Sequence, residues 1–217
     1  MKDNPQIIGL LGFKGAGKDT VAKLLAEYNY YPVSFAENLK RVLAVIFGWN
    51  KEMLDGYTVE SRNWRDQVDH WWAEKLGIPD FTPRKAMTMI GTDLFRKYFS
   101  DQIWIMSLHK KIDDIHKNHN CNIVITDIRF KNEFEYVKQI ANKTYRVERY
   151  RYDWEHIGYK ASLGEPTSIQ YMNNVLKVHE TEWDWLSCEW DDVIDNTKND
   201  MGHLMNEIDT KIIQNNK

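Results

Sequence analysis

The chain has 217 residues, 42% of them hydrophobic and 28% charged, with a formal net charge of −3; this fits one ordinary globular domain, and the mild acidity argues against a protein that coats nucleic acid or keeps it as a stable partner. Two distant cysteines, Cys121 and Cys188, make no disulfide framework and suit a reducing cytoplasm. No signal-peptide pattern opens the sequence, and no apolar run approaches the roughly 18 residues that would predict a membrane span.

Residues 7–11, Ile-Ile-Gly-Leu-Leu, are apolar at successive positions and predict a strand buried on both faces. Gly12-Phe13-Lys14-Gly15-Ala16-Gly17-Lys18-Asp19-Thr20 comes next, then a predicted helix over 18–28 with Val21, Leu24, Leu25 and Tyr28 on one face. A strand, a Gly-x4-Gly-Lys turn and a helix in that order make a phosphate loop. Its glycines let successive N–H groups turn inward, Lys18 meets the outer phosphates, and the helix N-terminus adds its dipole. Asp19 stands where most such loops carry the Ser or Thr that ligates Mg²⁺.

A second strand is predicted over 31–36 and a second helix over 38–47, which Gly48 ends. Residues 49–82 break the alternation, being polar and Trp-rich, with Arg62 and Arg65 three apart on a helix. Thr82-Pro83 starts the next helix, which shows Met87, Ile90 and Leu94 on one face around Gly91-Thr92-Asp93. A mid-helix glycine costs about 1 kcal/mol against Ala, so Gly91 predicts a close approach to the backbone. Arg84 and Arg96 are open between an acceptor phosphate and a solvated surface.

A helix around 105–115 leads to the strand 123–125, which ends in Thr126-Asp127. A carboxylate there can hold Mg²⁺ through water or simply cap the turn. Arg129 could grip a phosphate with both guanidinium arms, and Glu133 could orient it or complement the helix dipole. A helix over 131–141 and a strand over 144–149 follow, then an irregular stretch to about 189, a strand at 193–194 and a final amphipathic helix. Arg149 and Arg151 could close over a transferring phosphoryl group, or guard a sheet edge. His116, His119 and Cys121 are read as surface-loop residues, because no second cluster completes a zinc site. The acidic and aromatic run 179–185 is read as the packing of a flap. The alternation as a whole predicts a parallel sheet with helices on both faces. No Ser/His/Asp or Cys/His pairing is suggested, and phosphoryl transfer needs none.

The ordered set resembles the bacteriophage-type deoxynucleoside monophosphate kinases. It comprises Gly-x2-Gly-x-Gly-Lys-Asp-Thr, Phe35-Ala36-x2-Leu39-Lys40, Arg84-x2-Met87-x2-Ile90-Gly91-Thr92-Asp93, Trp104, Asp127-x-Arg129-x3-Glu133, His179-x-Thr181-Glu182 and Val193-Ile194-x-Asn196. The resemblance implies a three-layer α/β P-loop NTPase fold with a five-stranded parallel sheet. It implies a single kinase domain over 1–217, with a monophosphate- and base-binding insertion near 49–83 and a lid near 150–185. The implied reaction is ATP- and Mg²⁺-dependent phosphoryl transfer to a deoxynucleoside 5′-monophosphate. Lys18 would clamp the ATP phosphates, Thr20 the α- or β-phosphate region, and Asp127 hydrated Mg²⁺, while Asn196 would lie near adenine. Arg84, Arg96 and Arg129 become acceptor-phosphate candidates, with Lys40, Arg62, Arg65, Gly91, Thr92, Asp93, Trp104 and Glu133 on the same substrate side. Arg149 and Arg151 stand beside Lys18, Asp127 and Arg129 as catalytic candidates. A viral source, host cytoplasm and a homodimer are compatible with it. The rival readings are a phosphomevalonate kinase-like small-molecule kinase and a nucleotide-dependent DNA-processing ATPase or switch.

Overall fold

Five parallel strands make one sheet: β1 (Ile7–Leu11), β2 (Tyr30–Val33), β3 (Asn122–Ile128), β4 (Lys143–Glu148) and β5 (Asp192–Asp195), in the order β2-β3-β1-β4-β5. The structure is a computed structural model that describes residues 5–214; residues 1–4 and 215–217 of the expected 1–217 domain lie outside it. β1 is central and buried at every position, as its unbroken apolar run requires. Pro32, which has no N–H to give, falls on β2 at the sheet edge, where that lack is tolerated. The chain steps from β1 to one side and, after β3, crosses to β4 on the other. That reversal opens a crevice at the carboxyl end of β1, where ligands bind in sheets of this kind.

One face of the sheet gives Ile8, Leu10, Val124, Tyr145, Val147 and Ile194 to a core shared with Val21 and Leu25 of helix Lys18–Ala26 and Leu204 and Ile208 of helix Met201–Ile208. On Gly9 of β1, a Cβ would stand 2.7 Å from the Val137 side chain, so the missing side chain admits helix Lys131–Ile140. The described residues divide into two compact units, 5–34 with 112–214, and 35–111. The first holds the sheet.

The second unit is helical and contains the 49–83 segment. Its short helices are Glu37–Phe47, Lys51–Asp55, Val59–Trp64, His70–Leu76 and Pro83–Thr88, the last running on as a π-helix over Met89–Phe99. Side chains of Asn50, Thr58, Asp69 and Thr82 accept the first free N–H groups of the helices they precede, which offsets the orphan donors of so many helix starts. Phe47 stacks on Trp49 at 4.4 Å, and Trp49 donates to Asp69 at 2.8 Å.

Several expected bounds move. The first helix stops at Ala26, the second strand is Tyr30–Val33, and the third runs on to Ile128. His116 belongs to helix Ile103–Asn118 and not to a loop. Residues 150–189 are not irregular: they hold helices Glu155–Ser162 and Pro166–Gln170, a π-helical turn Tyr171–Leu176 and short 3₁₀ turns at Glu180–Glu182 and Asp184–Ser187. The buried positions there include Gly158, Ala161, Ser162 and Ser168, small residues that leave no apolar stripe to read. Among the described residues no helix is long and apolar enough to cross a membrane.

Candidate active site

The carboxyl end of β1 turns directly into the glycine loop. Gly12 has φ 140°, and a Cβ on it would lie 2.5 Å from the Val147 carbonyl oxygen of β4. Gly17 has φ 106° and precedes helix Lys18–Ala26; a Cβ there would meet the Asn196 amide nitrogen at 2.5 Å. Both places exclude a side chain by backbone angle and by space. Asn196, just beyond β5, is buried, donates from Nδ2 to the Ala16 carbonyl at 2.8 Å and takes its own place through an N–H bond to Glu148 O at 2.8 Å. Asn196 therefore holds the loop's backbone directly.

Lys18 is buried and donates from Nζ to the carbonyls of Gly12 (2.6 Å) and Phe13 (3.0 Å). Burial, and then the Arg129 charge, lower its pKa from 10.5 to about 8, against the opposing pull of Glu182, Asp19 and Asp127. Asp19 and Thr20 sit in the first helical turn, Asp19 exposed and Thr20 half-buried. Lys14 and Gly15 are the exposed crest of the loop and Ala16 is buried under it.

Asp127 lies one residue before the end of β3, and its charge acts on both Lys18 and Arg129. The Arg129 guanidinium donates to Glu182 Oε1 at 2.8 Å. Glu133 is buried, and one of its oxygens accepts the main-chain N–H groups of Arg129 (2.9 Å) and Phe130 (3.1 Å). It thus fixes the bend from β3 into helix Lys131–Ile140 while its charge also favours the Arg129 cation.

Glu182 was read from sequence only as part of a flap and as a family mark, yet it reaches the loop itself. Its Oε2 accepts the Lys14 N–H at 3.0 Å. Burial acts to raise its carboxyl pKa, but Arg129, the Lys14 N–H and Lys18 outweigh it and hold the group below the ordinary glutamate range. Phe13 was missed too. Its ring meets Tyr152, Trp154 and Trp185 edge-on at 4.9, 5.4 and 5.0 Å, so both ends of the 155–182 excursion rest on a loop residue. Beneath them the buried Arg146 guanidinium lies 5.5 Å from Phe13, 5.6 Å from Trp185 and 5.2 Å from Trp190, paired with Glu155 at 3.1 Å. An arginine between Tyr145 and Val147 in a buried strand is the signal that sequence offered for this cage.

Arg149 reaches Asn199 and, at 3.5 Å, the Gly15 carbonyl. Arg151 is exposed and bonded to Glu148 at 2.5 Å. Of the paired arginines, Arg149 is the one in contact with the loop.

In the second unit, three of the expected cations converge on one turn. Lys40 bonds the Asp55 carbonyl at 3.4 Å, Arg62 those of Gly56 (3.3 Å) and Tyr57 (3.2 Å), and Arg65 that of Leu54 (3.4 Å). Arg84 makes a two-armed pair with Asp66, and its main-chain N–H bonds the Arg65 carbonyl at 2.9 Å. Gly91 and Thr92 are buried at the start of the π-helix, where Trp104 Nε1 donates to the Gly91 carbonyl at 3.0 Å. A Cβ on Gly91 would stand 2.5 Å from the Leu39 side chain, so the close approach expected there is made by the protein's own packing. Asp93 pairs with Lys97 at 2.7 Å, and Arg96 is half-buried on the same π-helix.

A glycine loop at the carboxyl end of a central parallel strand, with a lysine buried in its cradle and an aspartate on the neighbouring strand, defines a P-loop nucleotide-binding protein. A family model described as deoxynucleotide monophosphate kinase matches residues 73–158. The chain is 34% identical over 154 residues to a protein of Acanthamoeba polyphaga mimivirus provisionally named a deoxynucleotide monophosphate kinase, covering 66% of this chain and 74% of that one. It is 28% identical over 184 residues to the deoxynucleoside-5′-monophosphate kinase of Escherichia phage T5, covering 61% and 72%. Among solved structures, dephospho-CoA kinase from Campylobacter jejuni covers 97% of both chains at 14% identity, with a TM-score of 0.45. The chain belongs to the deoxynucleotide monophosphate kinase family.

Proposed function

We propose that this protein transfers the γ-phosphoryl group of ATP to a deoxynucleoside 5′-monophosphate, releasing ADP and the deoxynucleoside diphosphate. The observation that carries this reading is a second cation at the loop: Arg129, bridged to the Lys14 N–H of the loop by the Glu182 carboxylate, at 2.8 and 3.0 Å. A loop that only binds nucleotide needs the lysine; a transferring phosphoryl group needs its spread charge met from another side as well. Lys18 and the loop N–H groups take the donor phosphates, and Arg129, aided by Arg149, meets the group in transit. Arg151, exposed and held by Glu148, supports that charge from further out.

The acceptor is assigned to the basic residues of the second unit: Lys40, Arg62, Arg65, Arg84 and Arg96, with Gly91, Thr92, Asp93 and Trp104 shaping the π-helix that carries Arg96. Mg²⁺ fits the loop's donors, because Asp127 and Asp19 supply hard carboxylate oxygens and Mg²⁺ is commonly held by one or two carboxylates, water and substrate phosphates. When bound it would neutralise charge on the phosphate oxygens. Asp127 would hold it through water, and Thr20 and Asn196 would serve the nucleotide by lining and bracing the loop.

The test is a product screen. ATP and Mg²⁺ are offered with each common dNMP and NMP, with phosphomevalonate, and with DNA alone. Diphosphate formed from at least one dNMP supports the reading; no diphosphate from any nucleotide, or hydrolysis stimulated only by DNA, overturns it.

A further inference from the structure

The Glu182 carboxylate does in this structure what a phosphate does in a phosphate loop. One oxygen accepts a loop N–H, from Lys14 at 3.0 Å, and the other accepts a guanidinium N–H, from Arg129 at 2.8 Å. The charge of Glu182 also acts on Lys18, raising its pKa against burial. A buried lysine and a partly buried arginine side by side repel each other, and an anion between them offsets that repulsion. The turn Glu180–Glu182 that carries the group is fixed from behind. Trp183 Nε1 bonds the Val178 carbonyl at 3.1 Å, and the buried Trp185 packs on Phe13.

We propose that Glu182 is an internal anion occupying the phosphate position of the ligand-free loop, and that an entering polyphosphate must displace it from the Lys14 N–H and from Arg129. Nucleotide binding is then an exchange of anions: each loop bond the phosphate makes replaces one that Glu182 gives up. Arg129 passes from carboxylate to phosphate without an unpaired interval. The price is affinity, since the loop's own carboxylate competes for the same donors. This inference rests on the loop being a nucleotide site.

The experiment measures binding without turnover. Inorganic tripolyphosphate and ADP, each with EDTA and no metal, are titrated calorimetrically into the parent protein, Glu182→Gln, Glu182→Ala and the control Glu180→Gln. Displacement predicts that both Glu182 variants bind tripolyphosphate and ADP about tenfold tighter than the parent, while Glu180→Gln stays within twofold. Unchanged or weaker binding in the Glu182 variants overturns the proposal. So does an equal gain in Glu180→Gln, which would reduce the effect to overall charge. A parent that binds neither probe overturns the nucleotide-site reading itself, a distinct result. Hydrogen exchange on the parent needs no variant: saturating ADP should speed exchange in residues 180–187, and unchanged or slower exchange there counts against displacement.

Discussion

Asn196 Nδ2 holds the Ala16 carbonyl at 2.8 Å, a bond that joins residues 180 positions apart and ties the residue after β5 to the phosphate loop beneath its crest. Asn196→Ala leaves that carbonyl buried without its donor, which costs about 1–3 kcal/mol. The expected result is a lower urea midpoint together with weaker ATP binding, read by denaturation and calorimetry. Gly17→Ala should abolish nucleotide binding, and adding Asn196→Ala should not restore it, because φ 106° remains hostile to a side chain after the clash is gone.

Lys18 gives the site a pH signature. Its ammonium titrates at about 8 in the ligand-free loop, and a polyphosphate binds the charged form. ATP affinity should therefore be level below about pH 8 and fall above it, by up to about tenfold per unit. For folding the sign is opposite. Between about 8 and 10.5 the unfolded chain holds the proton that the folded one has lost, so this group makes stability rise with pH across that window. Below it the buried charge costs about 3 kcal/mol. Lys18→Met should abolish transfer, and the rise in stability that the ligand-free parent shows between about pH 8 and 10.5 should be missing from the variant, read by urea midpoints at several pH values.

Phe13 is the only loop residue whose side chain is spent on packing against Tyr152, Trp154 and Trp185 among the described contacts. Phe13→Ala should cost about 3–5 kcal/mol. Faster hydrogen exchange at both stems of the 155–182 excursion would check that the loss is local to this cage.

Arg84 tests the proposed assignment of the acceptor to the second unit. It belongs to the second unit and pairs with Asp66; on the proposed assignment Arg84→Ala should raise KM for the monophosphate at least tenfold while moving KM for ATP less than twofold. Equal rises would remove Arg84 from the acceptor side. Steady-state kinetics with each substrate varied in turn decides it.

How much of this could be read from the chain depends on distance along it. The loop, its strand and its helix were legible because glycine spacing, an apolar run and a helical face all fall within residues 7–28. The cap at Thr82 with Pro83 behind it was legible for the same reason. The contact of Glu182 with the loop was not, because it is a bond to Lys14, 168 positions away. The excursion helices were hidden by composition instead, since Gly158, Ala161 and Ser162 pack as a core without being apolar in pattern.

The cage around Phe13 has one more consequence. Trp154 and Trp185 touch the loop's own phenyl ring, and the Arg146 cation sits within 5.6 Å of Trp185. Indole emission responds to nearby charge and ring geometry, so these tryptophans form an unlabelled optical gauge of the loop. Stopped-flow fluorescence could follow the arrival and departure of nucleotide in real time, with Trp185→Phe marking which part of the signal is the loop's.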